Sequence, residues 1–99
     1  MLSRDQYQTR MEAEFRDLNS KVADYVAKVN KATVSARSNF QEQVNTLHSK
    51  LFRFQSRLKK IQISSGDDWL MLKDGAESAC TDLRRTLENA VARFNLGGD

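Results

Sequence analysis

The sequence predicts an all-α protein folded as an antiparallel helical hairpin, and two features lead to this expectation. Apolar residues recur at intervals of three or four along most of the chain, and this period keeps them on one face of a helix. Pro is absent and Gly occurs only 4 times in 99 residues, whereas a sheet protein needs frequent turn residues. A chain of this length forms one domain, residues 1–99, with a thin apolar seam.

The first predicted helix covers residues 5–62. Its apolar stripe runs from Met11 to Ile61 with no Gly or Pro to interrupt it. A second interpretation places a bend near residues 33–39, where several residues have poor helix propensity and Ser38 with Gln41 fits a capping box. That bend would produce a three-helix bundle. Because the stripe passes through this segment, we expect the continuous helix.

The corner of the hairpin interrupts the stripe with the sequence SSG, and the second helix is predicted over residues 66–95. Ser65 fits the N-cap of this helix, with Asp68 three residues later in the first turn. Trp69, the only Trp, would fill the gap beside the corner.

A corner near residue 65 makes residues face each other across the hairpin when their numbers sum to about 130. Large side chains then meet small ones, for example Phe54 opposite Ala76 and Phe94 opposite Ala36. Residues 37–62 contain six basic residues and one acidic residue, whereas residues 63–99 contain four and seven, so the two arms attract each other. The predicted hairpin packing residues are Ala36, Phe40, Leu47, Leu51, Phe54, Trp69, Ala76, Leu83, Leu87, Ala90 and Phe94.

The N-terminal part of the stripe has no partner in the shorter second helix. An isolated amphipathic helix is only marginally stable in water, so this part needs another surface. We expect a homo-oligomer, a dimer or larger, in which the long helices of several chains pair. The predicted oligomer interface consists of Met11, Phe15, Leu18, Val22, Tyr25, Val26 and Val29.

Three segments, SRDQYQTRMEAEF, SSGDDWLMLKDGAESA and the final ARF, resemble a family of small bacterial coiled-coil proteins described as hypothetical or stress-response proteins. The most specific part is the pattern SSGD-x-W-x-x-LK-x-G-x-E-x-A. The resemblance implies a helical hairpin with unequal arms, no known enzymatic activity and a link to stress.

Groups that could support chemistry are few, and we predict no catalytic, cofactor or metal site. His48 has no second His or Cys at metal-ligand spacing, and Cys80 falls on the apolar stripe, where a thiol behaves as a small hydrophobe. Gly75 suggests a close approach inside the second helix, because Gly there costs about 1 kcal/mol relative to Ala. Three apolar residues off the stripe form a candidate second contact face near the corner: Phe52, Leu70 and Met71.

The predicted function is that of a non-enzymatic structural or interaction protein that self-associates through its long amphipathic helix. The alternative is a peripheral protein that binds a membrane surface with an apolar face containing Phe15, Phe40 and Phe54. Nucleic-acid binding is disfavoured, although a basic patch is present, because no recognised nucleic-acid fold accompanies it. The chain lacks a signal-peptide pattern and an apolar run of about 18 residues, so we expect a cytoplasmic protein. The basic patch consists of Lys50, Arg53, Arg57, Lys59 and Lys60.

Overall fold

The computed structural model describes residues 2–97 and contains three α-helices and no strand in that range: α1 (Arg4–Lys31), α2 (Val34–Gln62) and α3 (Asp68–Gly97). The helices form an elongated bundle measuring 51 × 18 × 16 Å. The predicted all-α class is therefore confirmed. The two-helix hairpin is wrong in its number of helices, and the three-helix bundle kept as the alternative fits.

The predicted helix over residues 5–62 is broken at Ala32 and Thr33, which are both extended, with ψ angles of 172° and 160°. Thr33 is the N-cap of α2, and its hydroxyl accepts a hydrogen bond of 3.2 Å from the backbone N–H of Ala36. The Ser38–Gln41 capping box is not the start of α2, which begins at Val34.

The break has a physical cause in tertiary packing. A continuous helix would leave the apolar stripe of α1 in water, whereas the break folds α1 back along α2 and α3. Burying this stripe outweighs the weak preference of residues 32 and 33 for continuing the helix.

The first turn of α1 is held at the corner between α2 and α3. Ser3 caps α1 in a capping box with Gln6. The Arg4 guanidinium donates a hydrogen bond to the carbonyl oxygen of Ser64, and the Tyr7 hydroxyl donates one of 3.3 Å to the carbonyl oxygen of Lys73. These contacts bring the start of α1 beside the α2–α3 connection.

The corner contains one left-handed residue, Gly66, with φ of +58°. α3 begins at Asp68, so Ser65, the predicted N-cap, lies before the helix and its carbonyl oxygen accepts a hydrogen bond of 3.1 Å from the Asp68 N–H. Trp69 is buried at the corner, as expected, but its ring neighbour is Tyr7 of α1 at a centroid distance of 5.5 Å.

All three helices contribute to one continuous core. Near the end away from the corner, the Phe94 ring lies edge-on to Phe40 at 5.2 Å and to Tyr25 at 6.1 Å. The predicted alternation, with Phe94 opposite Ala36, does not describe this layer. Because α1 packs on both α2 and α3, the core is wider than that of a two-helix hairpin, and large side chains from all three helices meet in this layer.

Candidate functional site

The residues predicted as an oligomer interface lie inside the single chain. Met11, Leu18, Val22, Tyr25 and Val29 are buried in the core, and the remaining two predicted residues pack against it. The prediction that this stripe faces another chain is therefore replaced, in this fold, by packing of α1 on α2 and α3. The remaining two are Phe15 and Val26.

The predicted hairpin packing residues all belong to the core or border it. Leu51 and Phe94 are partly buried against it. The others are buried, namely Ala36, Phe40, Leu47, Phe54, Trp69, Ala76, Leu83, Leu87 and Ala90. Of the residues on which the membrane alternative rests, Phe40 and Phe54 are buried in the core and Phe15 is partly buried against it.

Of the side chains that could take part in chemistry, Cys80 and Tyr7 lie in the core and His48 lies at the surface. Burial raises the pKa of the Cys80 thiol, although Arg84 Nη2 lies 3.5 Å from the sulfur and favours the thiolate. Burial likewise holds the pKa of Tyr7 well above its usual range. His48 is exposed. Within residues 2–97, no group of three or more His, Cys, Asp or Glu side chains could hold a metal ion.

The surface that stands out is the outer face of α2, which we define as Phe52, Lys59, Lys60 and Ile63. Phe52 lies two residues before the buried Phe54, about 200° around the helix, and therefore points away from the core. Phe52 and Ile63 are 69% and 71% exposed. Ile63 is the C-cap of α2 and continues the helical spacing of Phe52 and Lys59, so the two exposed apolar side chains lie on the same side of the helix, about 16 Å apart along its axis.

Met71 of α3 extends this face across the corner, because its side chain is 85% exposed and lines a shallow cavity together with Ile63. This cavity of about 430 Å³ is also lined by Lys60, Asp68 and Leu72. Leu70, which was predicted to share a contact face with Met71, lines a different groove beside Trp69.

The second half of α2 is basic, whereas the adjoining part of α3 supplies carboxylates, among them Asp68 in the cavity beside Met71. Residues 43–66 contain five Lys or Arg and no Asp or Glu. Among the residues the structure describes, Arg53, Arg57, Lys59 and Lys60 take part in no ion pair within 4.0 Å, although Glu77 and Asp82 line the same groove as the two arginines. Only the fifth, Lys50, is paired, 3.0 Å from Asp82.

The Arg57 side chain of α2 packs against α3 at Gly75. A Cβ added at Gly75 would lie 3.5 Å from Arg57 Nη1 and 3.8 Å from its Cδ, so the guanidinium lies over the α3 backbone at this point. Arg53, Arg57 and Arg85 line a groove of about 570 Å³ between α2 and α3, which also includes Glu77. Arg57 is therefore the neighbour of Gly75, but at distances that an added Cβ would meet as ordinary van der Waals contact, so no close approach requires Gly at this position.

No protein-family model, curated protein or solved structure matches this chain. The resemblance to small bacterial coiled-coil proteins remains a prediction. No helix in the described part of the chain is long and apolar enough to cross a bilayer. Arguments about function therefore rest on the geometry of the bundle.

The sequence contained the parts of this site, but they were interpreted separately. From the sequence alone, Phe52 and Met71 belong to a predicted contact face and the basic residues to a separate patch, and nothing distinguishes Ile63. The spacing from Phe52 through Lys59 to Ile63 repeats the helical period on the side opposite the core, and that spacing is a signal that sequence reasoning could have used.

Proposed function

We propose that the protein is a non-catalytic, peripheral binder of anionic membrane surfaces, with the outer face of α2 and Met71 directed towards the lipid. One observation carries the proposal. Phe52 and Ile63 are exposed in residues 43–66, a stretch of 24 residues with five Lys or Arg and no carboxylate side chain, and the exposed Met71 lies beside Ile63 and Lys60. The negatively charged leaflet that such a face suits is cytoplasmic, so a cytoplasmic location is part of the proposal.

Both kinds of side chain favour an anionic bilayer surface. Transfer of one large apolar side chain from water to an apolar environment stabilises by about 1.5–3 kcal/mol when burial is complete. Each Lys or Arg near an anionic surface contributes about 1 kcal/mol, and this contribution weakens as salt screens the charges. The outer face of α2 supplies both terms on one side of a rigid helix, since Phe52 and Ile63 alternate there with Lys59 and Lys60.

The exposed apolar side chains favour lipid over nucleic acid as the partner. The phosphate backbone of a nucleic acid would interact favourably with the basic residues only. Contact with a duplex would leave the apolar side chains of Ile63 and Met71 exposed to water. A chemical role has less support, since the Cys80 thiol is buried and His48 lies alone at the surface.

Co-sedimentation with vesicles tests the proposal. We expect binding to vesicles of mixed phosphatidylserine and phosphatidylcholine, little binding to pure phosphatidylcholine, and weaker binding at high salt. The double variant Phe52→Ser with Ile63→Ser should bind at least about tenfold more weakly, which corresponds to about 1.4 kcal/mol.

A matched control is Leu96→Ser, since Leu96 is 89% exposed but lies near the end of α3 away from the corner. This control should bind as the unaltered protein does. Equal loss in both variants, or no binding by the unaltered protein, would contradict the proposal. Tighter binding to a duplex oligonucleotide than to vesicles, unaffected by the double variant, would assign the basic residues to nucleic acid instead.

A further inference from the structure

The connection between α1 and α2 is unusually suited to straightening. It consists of two residues, Ala32 and Thr33, and residues 4–65 contain neither Gly nor Pro. Both residues have negative φ angles, −75° and −60°, so only their ψ angles must change for them to become helical. No left-handed residue blocks that change.

The apolar pattern also continues across the connection. Val29, Thr33, Ala36 and Phe40 follow one another at intervals of four, three and four, which is the period of an uninterrupted helix. In the closed bundle the helix is broken within this pattern, at Ala32 and Thr33. A continuous helix from residue 4 to residue 62 would be roughly 90 Å long at about 1.5 Å per residue.

We propose that two copies of this chain exchange α1, so that α1 and α2 become one continuous helix and α1 of each copy packs on α2 and α3 of the other. The partner is a second copy, because the surface that receives α1 is shaped by the contacts described above. The Tyr7–Trp69 stack, the 5.8 Å edge contact of Phe15 with Phe54 and the ion pair of Arg84 with Glu14 are all formed again, between chains. Exchange of an identical element is a low-cost route to a dimer.

The closed and exchanged forms differ mainly at the connection. The closed form has the hydrogen bond of 3.2 Å from the Ala36 N–H to the Thr33 hydroxyl, whereas the bond of 2.8 Å from the Arg37 N–H to the Thr33 carbonyl oxygen has the helical spacing of four residues and is kept in both forms. The exchanged form replaces the cap with continued helix. Few residues therefore determine the balance, and protein concentration shifts it, since two chains combine. This inference is independent of lipid binding.

Val34→Pro tests the exchange directly. Val34 is the first residue of α2 and is 73% exposed, so its replacement removes little packing, and Pro is tolerated at this helical position. Thr33 already has the extended conformation that the residue before Pro prefers. In a continuous helix the same Pro would be an interior residue, which is strongly disfavoured.

Size exclusion with light scattering on the full chain, over a range of concentrations, measures the dimer. We expect the unaltered protein to populate a dimer that grows with concentration, and Val34→Pro to dimerise at least 100-fold more weakly. Thr33→Ala removes the cap of α2 and favours continued helix, so it should strengthen dimerisation at least fivefold. Circular dichroism establishes that each variant is folded.

A distance measurement separates exchange from any other dimer. Spin labels at Leu2→Cys and Gln62→Cys, in a Cys80→Ala background diluted with unlabelled protein, report the distance within one chain. These positions lie at the same end of the closed bundle and should be close in the monomer, but roughly 90 Å apart in the exchanged dimer. A short distance in the dimer fraction, a Val34→Pro variant that dimerises normally, or monomers only for both the unaltered protein and Thr33→Ala would overturn the inference.

Discussion

Replacement by Ala should have opposite effects on stability at two glycines, Gly75 and Gly66. Gly75 lies inside α3, where an added Cβ would make ordinary van der Waals contact with Arg57 at 3.5–3.9 Å. At Gly66 nothing lies within 4 Å of an added Cβ, but φ is +58°. Available space alone would favour the change at Gly66, whereas backbone conformation favours the change at Gly75.

The expected magnitudes follow from these two environments. In the interior of a helix, Ala is more favourable than Gly by about 1 kcal/mol of folding free energy. The nearest Arg57 atoms belong to a flexible side chain that can shift. We therefore expect Gly75→Ala to raise the free energy of unfolding by about 0.5–1 kcal/mol. A left-handed conformation costs a residue other than Gly about 1–2 kcal/mol, and the stiffer unfolded chain offsets about 0.4–1 kcal/mol of this cost. Gly66→Ala should therefore lower the free energy of unfolding by about 0.5–1 kcal/mol.

Urea and thermal unfolding, followed by far-ultraviolet circular dichroism, measure both changes. For a domain of this size, about 1 kcal/mol shifts the Tm by about 4–8 °C, so the two variants should differ clearly. Gly66→Asn is a useful control, because Asn tolerates the left-handed region better than Ala and should recover part of the loss. A decrease in stability for Gly75→Ala, or a change of the same sign in both variants, would refute the reasoning.

Two further changes test the core. Phe54→Ala should lower the free energy of unfolding by about 3–5 kcal/mol because Phe54 is fully buried, whereas Phe52→Ala should lie within about 0.5 kcal/mol of the unaltered protein; similar urea midpoints for the two would contradict the core assignment. Alkaline pH should destabilise the fold, because burial raises the pKa of Cys80, Tyr7 and Tyr25 above their ordinary values of 9.0 and 10.0. The unfolded chain loses these protons first, so their contribution is full below about pH 9 and falls as the pH rises through the folded pKa values. Unfolding by urea between pH 8 and 11 should follow this decline, with a smaller decline in Tyr7→Phe, and a flat profile would contradict the burial argument.

The sequence predicted most local features of the fold and missed the one that determines the helix count. Most of the apolar stripe lies in the core or packs against it, and the SSG corner follows the end of α2. Thr33 is an ordinary N-cap, worth about 1 kcal/mol, with no Gly or Pro beside it. The decisive contribution is burial of the α1 stripe against two other helices, which is a long-range effect that local patterns do not report. Tyr7 was missed although it lies four residues before Met11, on the same stripe.

The candidate site was harder to predict than the core because exposure depends on how many helices surround α2. In a hairpin, α2 would touch one neighbour, and its whole opposite side would be open. In the bundle α1 and α3 both cover α2, and the exposed side that remains includes Phe52, with Ile63 just after the helix. The contribution of Met71 requires the corner geometry, since it belongs to another helix.

Because the bundle has three antiparallel helices, α1 begins at one end of the molecule and α3 ends at the opposite end. The chain begins α1 beside Ser64 at the corner and approaches the end of α3 at Phe94, which lies against Tyr25 near the opposite end of the 51 Å axis. Two groups joined to the chain, one before α1 and one after α3, would be held about 45 Å apart by rigid helix, at about 1.5 Å per residue. The closed bundle would then work as a spacer of fixed length. Exchange of α1 between two copies would keep this separation at about 45 Å within each chain, but would place the two groups that precede α1 at opposite ends of the dimer, roughly 90 Å apart.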